Sequence, residues 1–255
     1  MTMNDGKAWA LAHQGESWDV LDHGFVRLVD TMGDDAAVVQ AARVSLGSGA
    51  KSVRSDERLI HYLMEHRHTS PFEMCEVKLH VKAPIFVARQ WMRHRTQSYN
   101  EQSARYSILE DGAYIVPEHW IRGQSGTNKQ ASGGPIEIEH AYEAREVMWH
   151  AHNHAEAAYR AVLDRGVARE TARGVLPVAT WTQWYAKVDL HNLLGFLVSR
   201  QSVHAQPEIR AYADRIAWIV SQWCPVTYAA WVEHVRDAVT IPASRAAELR
   251  ARGVL

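Results

Sequence analysis

The chain has 255 residues, 47% of them hydrophobic and 22% charged, with a formal net charge of −1. That length and balance fit a soluble globular protein with a sizeable core, and without a composition break they predict a single domain over 1–255. They exclude the global positive field that holds a polyanion such as DNA, so any anion site must be local. Cys75 and Cys224 are too few for a disulfide framework and lack metal-type spacing, which fits a reducing compartment. No run of about 18 apolar residues suggests a membrane helix. Met1 to Asp22 offers no signal-peptide core, so a cytoplasmic location is expected.

Residues 1–24 carry Trp9 and Trp18 but no clear period. Gly24–Val29 alternates weakly and predicts a strand. Ala36–Val44 follows Asp34-Asp35 and predicts a helix with acidic residues at its start. Ser45–Arg54 predicts a Gly/Ser loop, and Ser55 caps a helix over Asp56–His66. His68–Glu73 is a turn. Glu76–Lys82 alternates strictly and predicts a strand with one dry and one wet face. Pro84 opens a helix over Ile85–Met92, which delivers Gln90 and Arg93 on neighbouring turns.

The next segment, Arg93 to Tyr106, packs three arginines, a histidine, a glutamate and several hydroxyls into fourteen residues. It predicts a loop. Tyr114–Pro117 predicts a short strand, and glycine-rich Arg122–Gly134 a flexible excursion. Helices are expected over Pro135–Arg165, Ala168–Leu176, Leu190–Ser202, Pro207–Trp223 and Tyr228–Val235. Thr180–Lys187 is expected as a strand, and a mobile tail ends the chain. The fold class is α+β, a small, mainly antiparallel sheet surrounded by helices.

Three kinds of chemistry are candidates. His61, His66 and His68 are close in sequence, and His150, His152 and His154 alternate along the long helix. His150 and His154 share a face, but no acidic-histidine signature accompanies them. That trio reads as a solvated or interfacial cluster, and no metal site is expected. Neither cysteine lies near the arginines, so both read as small core residues and not nucleophiles. Ser103 lacks a Ser-His-Asp grammar and reads as a hydrogen-bonding group. The arginines remain. Their planar forks fit phosphate oxygens two at a time, and their density points to a pocket for a small, multiply anionic ligand. Arg200 alone also fits a plain C-terminal arginine favoured by the helix dipole.

Arg93-His94-Arg95, seven residues and then Ser103 resembles the hallmark of the flavin-dependent thymidylate synthases. Four pieces accompany it in order: Ala42-Arg43-Val44-Ser45, His68-Thr69-Ser70-Pro71-Phe72-Glu73, Ala172-Arg173-Gly174-Val175-Leu176-Pro177, and Ser199-Arg200 with His204-Ala205-Gln206. The resemblance covers roughly Arg27 to Tyr228. It implies the thymidylate synthase-complementing protein-like fold and a homotetramer whose active sites are shared between subunits. The implied reaction is reductive methylation of dUMP to dTMP, with FAD as cofactor, NADPH as reductant and methylenetetrahydrofolate as carbon donor. No enzyme nucleophile is needed. Competing readings are a variant that hydroxymethylates dUMP and a nucleic-acid-binding module using Arg93, Arg95, Arg105, Tyr99 and Tyr106.

By the family pattern, dUMP would be bound by Gln90, Arg93, Glu101, Gln102, Ser103, Ala104, Arg105, Arg173 and Arg200, with Arg200 the catalytic residue facing the uracil. FAD would be bound by His68, Ser70, Arg93, His94, Arg95, Glu101, Asp189, Leu190, His191 and Gly195. Two positions depart from the pattern. The family often has Asn at 189, where an aspartate would repel a diphosphate unless it faces a ribose hydroxyl or the adenine amino group, and a polar residue at 195, where Gly195 removes a side-chain contact.

Overall fold

The structure, a computed structural model, describes residues 5–44, 55–129 and 131–254. In chain order it runs α1 (Asp5–Ala12), β1 (Ser17–Val20), β2 (Gly24–Met32), α2 (Asp35–Val44), α3 (Asp56–Glu65), α4 (Ser70–Glu73), β3 (Glu76–Pro84), α5 (Ile85–Trp91), β4 (Ser98–Glu101), β5 (Arg122–Gln124), β6 (Ser132–Pro135), α6 (Ile138–Asp164), α7 (Arg169–Ala172), β7 (Trp181–Asp189), α8 (Leu190–Arg200), α9 (Pro207–Trp223), α10 (Pro225–Trp231) and α11 (Ala243–Ala251). Short 3-10 turns cover Glu118–Trp120 and Arg173–Val175, and a π turn covers Val232–Arg236.

Strict alternation makes β3 the centre of the sheet. Strands follow the order β1-β2-β3-β7-β4, every neighbouring pair antiparallel. Register aligns Leu28, Leu79 and Ala186 in one row across the sheet and Val26, Val81 and Trp184 in another. All six are buried. Each large apolar side chain so buried contributes roughly 1.5–3 kcal/mol. The intervening row, Arg27, His80, Tyr185 and Asn100, is polar and lies on the opposite face. The expected α+β class with an antiparallel sheet is the observed one.

Helices cover the dry face. In α9, Ile209, Tyr212, Ala213, Ile216, Ala217, Val220 and Trp223 recur at helical spacing and are all buried. Trp91 of α5 meets Trp184 of β7 edge-on at 5.3 Å and Phe196 of α8 at 4.7 Å. Gly24 lets the Tyr212 hydroxyl come close: a Cβ there would sit 2.0 Å from that oxygen. The hydroxyl donates to the Lys82 carbonyl at 2.6 Å. Asp35 is fully buried and accepts the amides of Val226 and Thr227 at 2.8 and 2.9 Å, so it caps the first turn of α10 from across the fold.

Several expectations need correction. Residues 1–24 hold α1 and β1, because Trp9, Trp18 and Trp218 stack into an aromatic cluster and supply the tertiary packing that a weak local period conceals. The arginine-rich loop contains β4, which pairs with β7. Tyr114–Pro117 is no strand; a single bridge joins Ala113 to Thr180. The glycine-rich excursion forms the β5–β6 hairpin. His68–Glu73 includes the short helix α4, and the tail contains α11. Ser55 occupies the N-cap position of α3 without a side-chain cap bond. The expected Gly/Ser loop Ser45–Arg54 lies outside the described residues.

Candidate active site

Three groups of predicted site residues stand apart in one chain. The first gathers where the end of α5 meets the end of α8. Arg200 is half-buried in the last turn of α8. Its Nε–H donates to His94 Nε2 at 3.0 Å, and its Nη2 donates to the Gln90 carbonyl at 2.9 Å. Its other three N–H donors have no partner among the described residues. His94 must present a lone pair at Nε2, so it is neutral with its proton on Nδ1. Burial, then the Arg200 charge, hold its pKa below the ordinary value. Gln90 Nε2 donates to Gln206 Oε1 at 2.6 Å. The geometry fixes a guanidinium and leaves its remaining fork for a ligand.

These shifts make stability pH-dependent. His94, His80 and His152 are all held below the ordinary histidine value of 6.5, each chiefly by burial. Between that value and the lowered folded values, the unfolded chain binds protons that the folded chain refuses. The histidine contribution to stability is therefore complete above 6.5 and is lost as pH falls through that window, against the opposite trend of Asp35 and Glu208, whose burial raises their pKa. NMR titration of the folded chain should place all three histidines below 6.5, and titration above it would contradict the loss.

The second group follows β4. Glu101 accepts the Thr182 hydroxyl at 2.8 Å. The Gln102 amide donates to the Gln183 carbonyl at 2.9 Å, and Gln183 Nε2 donates to Gln102 Oε1 at 3.1 Å. Ser103 then caps a tight turn: its carbonyl accepts the amides of Tyr106 and Ser107, and its Oγ accepts that of Arg105 at 3.3 Å. Arg105 pairs with Glu170 at 3.1 Å, three residues before Arg173. Arg173 is exposed at the start of its 3-10 turn. Two arginines, a serine and the Ala104 amide thus share one open surface. No hydrogen bond or ion pair among the described residues joins this group to Arg200 or Gln90.

The third group lines a cavity of about 410 Å³ with His68, His191, Leu194 and Gly195 on its wall. Among the described residues nothing lies within 4 Å of where a Gly195 Cβ would be, so this glycine leaves open space for a ligand. Asp189 points elsewhere. Its carboxylate accepts the Asn192 amide at 2.9 Å and the Asn192 Nδ2 at 2.6 Å, capping α8. Asparagine caps a helix equally well, so the departure at 189 preserves the backbone role. Asp189→Ala should cost about 1 kcal/mol and lower Tm by about 2–4 °C, whereas Asp189→Asn should leave Tm nearly unchanged; calorimetry separates them. Leu190 is fully buried, its amide bonded to the Cys75 carbonyl at 2.8 Å. Arg93, Arg95 and Ser70 are exposed outside this wall, and neither arginine's side chain has a partner among the described residues.

Sequence reasoning missed several supporting groups. Gln206, which holds Gln90, was legible only as part of a quoted motif, and it lines a cavity of about 510 Å³ with His152, His204 and Glu208. Gln183 is the hub of the polar face: Arg27 donates to His80 Nδ1, and His80 Nε2 donates to Gln183 Oε1 at 2.9 Å. Only strand pairing brings these residues to the Gln102 turn.

A family model described as "Thymidylate synthase complementing protein" matches residues 27–226. A flavin-dependent thymidylate synthase of Ruegeria pomeroyi is 50% identical over 244 residues, which cover 94% of this chain and 80% of that protein. One from Thermus thermophilus is 56% identical over 237 residues, covering 92% and 85%. Among solved structures, a UMP/dUMP methylase, PolB from Streptomyces cacaoi bound with 5-Br dUMP, matches with a TM-score of 0.76 and 34% identity, over 86% of this chain and 99% of that chain.

Proposed function

The chain belongs to the thymidylate synthase complementing protein family, and from that premise we propose that it reductively methylates dUMP to dTMP, with methylenetetrahydrofolate as carbon donor, NADPH as reductant and FAD as cofactor. The observation that carries the reading is the pinned guanidinium of Arg200, bonded by His94 and the Gln90 carbonyl with three donors still to spend. Such a fork beside a pyrimidine stabilises the negative charge that makes C5 nucleophilic. Ser103, Arg105 and Arg173, with the turn amide of Ala104, form the anion-binding surface for the nucleotide phosphate, while the Gln102 amide, spent on the Gln183 carbonyl, holds the turn against β7. Glu101 sits at the edge of the same surface. Cys75 and Cys224 are buried in the core, and burial pushes the Cys224 thiol well up, consistent with chemistry that uses no enzyme nucleophile.

The residues fit a flavin. The cavity beside His68 and His191 is open at Gly195, and exposed Arg93 and Arg95 offer two cationic forks for a diphosphate. Bound there, the flavin would supply the hydride chemistry, while the protein supplies position and field. The polar groups then have separate tasks. His94, neutral, orients Arg200; Gln90 is oriented by Gln206; Asp189 fixes the start of the helix that carries His191 and Gly195. We further propose a homotetramer in which one subunit's Arg200 group meets another's Arg105–Arg173 group. The lack of any bond between these groups among the described residues of one chain supports that reading.

The test is the mass of the nucleotide formed from dUMP with methylenetetrahydrofolate, NADPH and FAD. A product one CH2 heavier than dUMP is expected. A hydroxymethyl product would overturn the final reduction, and no product with flavin bound would overturn the proposal.

A further inference from the structure

We propose that His61, Glu233 and His234 form a binding site for one divalent transition-metal ion of the zinc class. His61 lies on α3, and the other two lie on the π turn after α10. His61 Nδ1 stands 3.2 Å from Glu233 Oε2 and 3.3 Å from His234 Nε2, and the last two atoms are 3.9 Å apart. Ligand atoms around a tetrahedral zinc ion, with bonds of about 2.0–2.1 Å, are separated by roughly 3.3 Å. Two of the three edges already have that length. The third closes by a small movement of Glu233, whose side chain is exposed.

Hydrogen bonding satisfies this cluster poorly. A neutral His61 carries at most one proton on Nδ1, yet that atom faces a carboxylate oxygen and an imidazole nitrogen at nearly equal distances. It can donate well to one of them only. A metal ion engages all three lone pairs together. Two imidazoles and one carboxylate suit zinc, cobalt, nickel or copper and do not suit magnesium or calcium, which take oxygen ligands.

The backbone is shaped for the purpose. Asp237 donates its amide to the Val232 carbonyl at 3.0 Å, the i to i+5 bond of a π turn. That widening lets the adjacent residues Glu233 and His234 address one point, and such single π turns often mark functional positions. His234 also lines the 410 Å³ cavity. The ion would tie α3 to the C-terminal segment. Glu233 and His234 lie beyond the stretch 27–226 matched by the family model, and neither is near His61 in sequence. That separation is why spacing alone predicted no metal. The inference is independent of the reaction proposed above.

The experiment is calorimetric titration of the full-length, flavin-loaded protein with Zn2+ after dialysis against EDTA, in parallel with Co2+ monitored by absorption. One zinc per chain and a tetrahedral cobalt spectrum are expected. Affinity should fall on the order of tenfold or more in H61A, H234A and E233Q. The exposed E233Q variant keeps the test open should a histidine variant fail to fold. H150A/H154A, which removes the face-sharing pair on α6, should bind as tightly as the parent. Zinc should also raise the Tm of the parent and not that of H61A/H234A. Equal zinc binding by H61A/H234A and parent, or no zinc binding by the parent, would overturn the site.

Discussion

Replacing Arg200 with alanine is expected to reduce turnover on the order of 10²–10³-fold while leaving flavin occupancy unchanged. The magnitude follows from the setting. The guanidinium is half-buried, so its field acts in a medium less polar than water. Burial draws its pKa down, but guanidinium stays charged at neutral pH. Its Nε and Nη2 bonds fix its plane before any ligand arrives, so no reorganisation accompanies charge development. Flavin occupancy is spared because Arg200 is bonded to none of the residues on the 410 Å³ cavity wall. Arg200→Lys should restore little, since an ammonium keeps the charge but cannot span His94 and the Gln90 carbonyl. A second readout separates positioning from collapse. One of the two causes lowering the His94 pKa is the Arg200 charge, so that pKa should rise in the alanine variant when followed by NMR titration. Full turnover in Arg200→Ala would refute the assignment.

The parts legible in the sequence were those with strong local signals. Alternation in Glu76–Lys82 and the 3.6 period in Pro207–Trp223 identified the central strand β3 and the main covering helix α9. The arginine-rich segment marked one candidate surface through its composition, without any structure. What stayed hidden depended on partners distant in the chain. Residues 5–12 become a helix because Trp9 finds Trp218, and β4 is a strand because β7 offers it an edge. Asp189 reads as a charge beside a cofactor, but in the fold its carboxylate turns back onto Asn192. The convergence of His61 with Glu233 and His234 likewise leaves no trace in spacing. Periodicity reports which face is buried, not which face meets which.

Arg173→Ala is expected to raise the KM for dUMP by roughly 10- to 100-fold with kcat nearly unchanged, the loss of one or two charge-assisted bonds to a phosphate that does not react. Arg173 suits this role better than its neighbour. It is exposed, and its side chain has no partner among the described residues. Arg105 is held by Glu170 at 3.1 Å, with both side chains more than half exposed. An ion pair so exposed is weak, so a dianionic phosphate would displace the carboxylate from Arg105 without much opposition. Glu170 would nonetheless leave a negative charge beside the phosphate. Glu170→Gln should therefore lower the KM for dUMP slightly, opposite in sign to Arg173→Ala. Deoxyuridine, which lacks the phosphate, supplies the control. Its weak inhibition should be the same for parent and Arg173→Ala, so the preference for dUMP over deoxyuridine collapses in the variant. A variant that loses affinity for both ligands equally would show that Arg173 shapes the turn and does not bind the phosphate.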